Sequence, residues 1–283
     1  TVQSDIEKVL KYIASDAKVV VSLAPSFIGS FVFKKPAQIV TALKKLGFDA
    51  VAETAEGASM VTDEYYRILT ETDQKTAITT CCPTVNNLIE KYYPELIPYM
   101  LPSITPMIAH GRLLKKRFGA ATKVVFIGPC TAKKMEVQKE RVKPYIDSCI
   151  TFEELQALFD SRDIDLKSLP EGVLDNASYY GRIFARSGGL SDAVTQALKE
   201  QGLDQTFELK AIACDGIEAC RVALLKKQKN LLKENFIEGM ACEGGCVGGP
   251  KALIDRGEGT EYVEDYGAQA AYPTPIDNPY VIE

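Results

Sequence analysis

Apolar residues recur along the chain in two alternating spacings. Short continuous runs such as "KVVVSL" at 18–23 and "KVVFIG" at 123–128 read as buried strands, and stretches with apolar residues three and four apart read as amphipathic helices. The first helix is "SDIEKVLKYIAS", with Ser4 and Glu7 spaced as a capping box ahead of Ile6, Val9, Leu10 and Ile13. After "KVVVSL" comes "KPAQIVTALKKLGF", with Pro36 at its start and Gly47 at its stop, then the strand-like "DAVAET" and a helix over 57–71. The alternation continues through strand "KTAITT", helices "NNLIEKYY" and "TPMIAHGRLLKKRFG", and strand "KVVFIG". In the second half, "YIDSCI", "FELKAIA" and "NFIEGMA" read as strands. "TFEELQALFDS" (capped by Thr151 and Glu154), "LSDAVTQALKEQG" and "GIEACRVALLKKQKNLLK" read as helices. Strands separated by helices imply parallel pairing and an α/β fold. The tail, with Pro273, Pro275 and Pro279, is expected to run extended over the surface across 265–283.

Composition narrows the function. With 46% hydrophobic and 25% charged residues among 283, the chain is a globular protein with a real core, and no apolar run reaches the length of a membrane span. A net charge of −5 argues against a nucleic-acid partner. No secretory leader is legible, so a cytoplasmic location is expected, and Thr1 in place of Met hints at an upstream part. Eight cysteines without a secretory signal point to metal or thiol chemistry rather than disulfides, and with His110 as the one histidine the ligands must be thiolates.

Cys81 and Cys82 follow the strand "AITT", Cys130 follows "KVVFIGP", and Cys242 follows "FIEGMA". Ligands of open α/β sheets bind beyond the carboxyl ends of parallel strands, so these loops are expected to converge. Cys246 lies four residues after Cys242 in "CEGGCVGGP", whose glycines let backbone N–H groups approach bridging sulfurs. Cys82, Cys130, Cys242 and Cys246 are therefore the four candidate ligands of an iron–sulfur cluster. Structural zinc is the alternative that four thiolates leave open, although the paired two-residue spacings usual for zinc are absent. Neighbours in an extended segment point to opposite sides, so Cys81 is expected to stay free beside the metal, where a thiol can carry a proton.

"TTCCPTVNNLIEKYYPEL", "GPCTAKKMEV" and "GMACEGGCVGG" resemble, in order and spacing, three signature loops of the H-cluster domain of iron-only (FeFe) hydrogenases. "VVVSLAPSF", "SGGLSDAV" and "TPIDNPY" extend the likeness over essentially the whole chain. The resemblance implies a single domain of two α/β lobes, each a mainly parallel sheet flanked by helices, approximately 1–125 and 126–283, with the cluster in the cleft between them. It implies a 4Fe-4S cubane on Cys82, Cys130, Cys242 and Cys246, with Cys246 bridging to a diiron subcluster that carries CO, CN and azadithiolate ligands. It also implies that Cys81 relays protons, that Lys133 pairs with a cyanide, that Pro25 and Ser26 line the pocket near the other cyanide, and that Met240 packs on the diiron site. The reaction implied is the interconversion of dihydrogen with protons and electrons. Implied partners are dihydrogen, a ferredoxin-like electron carrier or upstream iron–sulfur domain, and maturation proteins.

The chain departs from the family at several positions. Glu136 matches a carboxylate of the family's proton route, but the serine and glutamate expected further out fall on Leu101 and Thr62. Gly128 stands where a methionine is usual and is expected to open space; "CCPTV" replaces "CCPGW", and the chain has no Trp. These changes, with "CDGIEAC", resemble a sensory-type branch and imply slow turnover or hydrogen sensing. The competing reading is a non-catalytic, hydrogenase-like assembly or regulatory protein carrying only the cubane, which leaves Cys81 and Lys133 without a task. Cys149, Cys214 and Cys220 are expected to be core or rim thiols, and His110 a helix residue without a metal.

Overall fold

The apolar runs pair as parallel strands in a computed structural model that describes residues 3–74, 76–205, 207–276 and 278–280. The strands are β1 (Val19–Leu23), β2 (Ala50–Glu53), β3 (Ala77–Ile78), β4 (Lys123–Gly128), β5 (Ser148–Thr151), β6 (Ala211–Asp215) and β7 (Phe236–Met240). They form a four-stranded sheet in the order β2-β1-β4-β5 and a three-stranded sheet in the order β3-β7-β6, every pair parallel. The helices are α1 (Ile6–Ile13), α2 (Phe27–Ser30), α3 (Gln38–Leu46), α4 (Ala55–Glu71), α5 (Pro83–Tyr92), α6 (Pro106–Phe118), α7 (Thr131–Glu136), α8 (Phe152–Ser161), α9 (Tyr179–Ile183), α10 (Gly189–Glu200), α11 (Ile217–Gln228) and α12 (Arg256–Ala268). No described helix is long and apolar enough to cross a membrane.

β1 is buried at every position because helices cover both faces of its sheet, the usual fate of a parallel sheet's central strands. Around it Leu23, Phe27, Ile127, Phe152 and Phe159 form the largest core. The three-stranded sheet sits between two smaller cores, one with Tyr65, Leu101 and Phe236, the other with Ile78, Val85 and Leu224. Its strand β6 is an open edge on which Cys214 alone is buried.

Several expectations need correction. The sheets cut across the expected boundary at 125 and 126: β3 pairs with β7, whereas β4 and β5 continue the sheet of β1 and β2. Each sheet thus needs strands from distant parts of the chain, which local periodicity cannot reveal. α1 begins at Ile6 after Asp5, and the Ser4 hydroxyl accepts from the Ile6 N–H at 3.3 Å instead of closing a capping box. The Thr151–Glu154 box on α8 forms as expected. β6 starts at Ala211, where pairing with Phe236 begins, and so carries Cys214 inside the strand. The expected extended tail is helical through Ala268, because α12 hides its signal behind glycines used for close packing. A Cβ on Gly267 would lie 2.9 Å from Ile183 and one on Gly259 3.4 Å from Val247. Beyond α12 the Tyr272 carbonyl accepts from the Tyr179 N–H at 2.8 Å, and the Asn278 amide donates to the Asn176 carbonyl at 2.7 Å.

Candidate metal centre

Five strand exits deliver side chains to one place. β1 leads to Pro25 and Ser26, β2 to Thr54, β3 to Cys81 and Cys82, β4 to Cys130, and β7 to Cys242, with Met240 as its last residue. All of them, with Lys133 and Cys246, line a single cavity of about 110 Å³ between the two sheets. The arrangement follows from parallel pairing, which puts the carboxyl ends of all strands of a sheet on one side. Pro83 then opens α5 with Cys82 as its extended N-cap (φ −94°, ψ 110°), and Cys130 plays the same part for α7.

The four candidate ligands feel one another. Burial pushes the Cys242 thiol up to about 11, helped by the nearby Cys130 and Cys82. Burial likewise raises Cys246, with Cys130, Cys82 and Cys242 adding to the shift, and raises Cys130 against the pull of Lys133. Cys246 is the most open of the set, and its open surface is cavity wall. Cys130, Cys242 and Cys246 thus resist ionising, and with Cys82 they form a donor set that a cationic centre would bind as thiolates. Among the described residues no three His, Cys, Asp or Glu side chains could hold one metal ion, whereas a zinc bound at about 2.3 Å needs its thiolates roughly 3.8 Å apart. The thiols border a space rather than a point.

The cavity wall also offers charge and unmet polarity. Burial draws the Lys133 ammonium down, but Glu136 at 2.6 Å and the thiols of Cys130 and Cys246 outweigh it and hold the group above its ordinary value. The Ser26 hydroxyl is buried, faces the same cavity and has no hydrogen-bond partner among the described residues, as expected of a wall that meets a polar ligand. Gly245, at φ +78°, lets the backbone run close to its neighbour: a Cβ there would sit 2.6 Å from the Ser187 nitrogen. Burial pushes the Cys81 thiol up to about 12, keeping it protonated at neutral pH, and its sulfur lies 3.5 Å from the Tyr65 hydroxyl.

Of the sequence-predicted site residues, Glu136 alone does not line the cavity; it stands behind Lys133. The other candidates come together, Cys81 included. Thr62 and Leu101 are buried, and the Thr62 hydroxyl donates to the Ala58 carbonyl of its own helix at 3.0 Å. The space expected at Gly128 is filled: a Cβ there would meet the Phe126 ring at 2.8 Å, and Phe126 itself lines the cavity. Residues two apart on a strand share a face, so the ring two positions back takes the vacated room. Thr54, Phe184 and Ala185 also line the cavity without having been anticipated. The strand-exit rule applied to "DAVAET" would have found Thr54; no pattern marks the other two. Cys149, Cys214 and Cys220 are free and buried, and His110 is buried on α6 with Nδ1 2.7 Å from the Ser22 hydroxyl.

The model of the "Iron only hydrogenase large subunit, C-terminal domain" family matches residues 17–250. The chain is similar to iron hydrogenase 1 of Clostridium pasteurianum, 29% identical over 287 residues covering 83% of this chain and 50% of that protein. It is also similar to a cytosolic Fe–S cluster assembly factor of Botryotinia fuckeliana, 29% identical over 129 residues, or 39% of this chain and 23% of that protein. In fold it superposes on an FeFe-hydrogenase of Chlamydomonas reinhardtii with a TM-score of 0.81, covering 99% of this chain and 93% of that one at 21% identity. The chain thus spans about half the length of the clostridial relative.

Proposed function

The chain belongs to the iron-only hydrogenase large-subunit family, and from that premise we propose that it holds an H-cluster and interconverts dihydrogen with protons and electrons, slowly, in a hydrogen-sensing role. The observation that carries this reading is the meeting of Cys82, Cys130, Cys242 and Cys246 with Lys133 and an orphaned Ser26 hydroxyl around one cavity. Cys82, Cys130, Cys242 and Cys246 would hold the 4Fe-4S cubane, with Cys246 shared with the diiron subcluster. When bound, that subcluster with its CO, CN and azadithiolate ligands supplies the site at which dihydrogen is split or formed.

The chain's own residues do the rest. Lys133, charged and steadied by Glu136, offers a fixed donor to a cyanide, since an ionised donor makes the stronger hydrogen bond. The Ser26 hydroxyl would offer a neutral donor at the other side, where Pro25 lines the pocket without an N–H to give, and Met240 would pack against the diiron position. Cys81, kept as a thiol, hands protons to and from the cavity. Electrons would come from a ferredoxin-like carrier or an upstream iron–sulfur domain, and maturation proteins would install the diiron part.

The partial likeness to an assembly factor favours one other reading, a cubane-only protein that handles no hydrogen. Lys133 and Cys81 speak against it, because a buried ammonium and a buried thiol aimed at a cavity have nothing to meet there without a second subcluster. Infrared spectra of protein matured with the diiron part decide: carbonyl and cyanide bands are expected, and a spectrum without them sinks the hydrogenase reading. Reduction of a dye by dihydrogen then measures turnover.

A further inference from the structure

We infer that Thr54 is a further contact residue of the cavity, and that Ser22, His110 and Glu56 fix its hydroxyl as a hydrogen-bond acceptor for the group bound there. The inference rests on the reading of the site as the seat of a diiron subcluster. Thr54, on the cavity wall, opens α4 but gives its helix no side-chain cap. Its hydroxyl lies instead 2.8 Å from that of Ser22, and the Ser22 oxygen lies 2.7 Å from His110 Nδ1. On the far side of the imidazole, Nε2 faces Glu56 Oε1 at 3.6 Å, and Arg117 donates to the other Glu56 oxygen at 2.8 Å. Ser22, His110 and Glu56 are completely buried, and none of them lines the cavity. Gly57 lets α4 and α6 meet here, since a Cβ on it would lie 2.8 Å from that of His110.

The direction of the chain follows from which atoms can donate. Burial raises the Glu56 carboxyl, but His110 and Arg117 outweigh it and hold the group below its ordinary pKa, so the carboxylate can only accept. A bare Nε2 lone pair would be repelled by that carboxylate, so Nε2 carries the hydrogen. With Arg117 already supplying the cation, the imidazole needs no second hydrogen, and Nδ1 accepts from Ser22. Ser22, its hydrogen spent, accepts from Thr54, and Thr54 is left with lone pairs alone. A serine, a histidine and a carboxylate in this order can also activate a nucleophile, but Ser22 lies inside β1 with no surface for a substrate to reach. Lys133 and Ser26 offer hydrogens to the cavity, which suits carbonyl and cyanide ligands because both only accept. Of the ligands in the proposed subcluster, the dithiolate amine alone has a hydrogen to give, and Thr54 is the matching acceptor.

The test uses the full chain, first without its cluster and at neutral pH. His110 is the one histidine, so the imidazole nitrogen resonances of labelled protein belong to it alone. Nε2 is expected as the N–H and Nδ1 as the bare acceptor, with Ser22→Ala shifting Nδ1; a hydrogen on Nδ1 overturns the direction and the inference with it. In protein matured with the diiron subcluster, Thr54→Val should retain the carbonyl and cyanide bands but displace them, and Ser22→Ala should displace them too. Because Ser22 does not reach the cavity, its effect should vanish in the Thr54→Val background, whereas a general loosening of the core would persist there and overturn the positioning role. The Thr54→Val displacement should likewise vanish when the dithiolate bridge carries carbon in place of the amine; a displacement that persists, or none with either bridge, overturns the contact. If Ser22→Ala does not mature, His110→Asn and His110→Phe decide. Asn keeps an acceptor oxygen on the same carbon that bears Nδ1 and should hold the bands near their original positions, whereas Phe should displace them, and equal displacement by both overturns the positioning role. Absence of the bands from the unaltered chain sinks the reading of the site itself, and the contact with it.

Discussion

The two sheets open on the same cavity but back it with different chemistry. Behind the four-stranded sheet the polar groups are ionic. Arg182 grips Glu53 at 2.7 and 3.0 Å with the Tyr266 hydroxyl adding a third bond, Arg117 holds Glu56 at 2.8 Å beside His110, and Glu136 holds Lys133. Behind the three-stranded sheet lie thiols and hydroxyls, and its carboxylate Glu238 accepts from the N–H groups of Gly188 and Ser191 and from the Ser191 hydroxyl. Burial raises the Glu238 carboxyl despite these donors. One side is thus charged and already paired, with Cys130 its one cysteine on the cavity, whereas the other delivers Cys81, Cys82 and Cys242, and burial raises the Cys81 and Cys242 thiols. Stability against pH should be decided mainly on the first side and metal retention mainly on the second.

The largest expected effect tests the second half of that statement. Cys82→Ser should leave matured or iron-reconstituted protein with most of its cluster iron lost, because a hydroxyl is a poor substitute for a thiolate on iron. Iron content and the cluster's visible absorption measure it. Full retention of iron would remove Cys82 from the ligand set.

Next in size is the ionic side. Arg182→Met should destabilise the protein by about 3–5 kcal/mol, because it leaves Glu53 buried without its cation. Denaturant unfolding of the cluster-free chain reports this. A loss below about 1 kcal/mol would mean that Glu53 takes up a proton at no cost and that the pairing is not what steadies this side.

Acid should divide the same side within itself. Burial pushes both Glu53 and Glu56 upward; for Glu53 it prevails over Arg182, whereas for Glu56 the bonds and charges of His110 and Arg117 prevail and its pKa is lowered. A lowered carboxyl contributes stability that is present above its unfolded value of about 4.5 and lost as pH falls through the folded value. A raised one, Glu53, contributes stability present below about 4.5 and lost as pH rises through its folded value. Glu56→Gln should therefore flatten the loss of melting temperature below about pH 4.5. An unchanged acid limb would assign that loss to other groups.

The residues that make this contrast differ in how far the sequence betrays them. Cys81, Cys82, Cys130 and Cys242 stand directly after apolar runs, so strand exits and parallel pairing were enough to gather them. Thr54 obeys the same rule, but its residue type carries no chemistry of its own to mark it. The sharing of strands between the sheets, with β3 beside β7, depends on pairing across more than a hundred residues and leaves no local periodicity. Phe126 filling the room at Gly128, and Tyr65 meeting Cys81, are packing outcomes of residues whose spacing reads only as core. α12 stayed hidden because glycine, which normally argues against a helix, is what lets it approach α9.

The smallest effect belongs to the thiols at the far edge of the three-stranded sheet, which lie outside the cavity. Cys214 lies inside β6 and Cys220 in α11; both are buried, and neither lines the cavity. The Cys220 thiol points at the Met240 carbonyl, 3.4 Å away, but that oxygen also accepts the Gly216 N–H at 2.9 Å. Removing the thiol therefore leaves no buried carbonyl unmet, and what is lost is one packed atom and a weak donor. Cys220→Ala should cost on the order of 1 kcal/mol in denaturant unfolding and leave iron content unchanged. Loss of iron in this variant would make the edge pair part of the centre and erase the distinction between a thiol that faces the cavity and one that merely follows a strand.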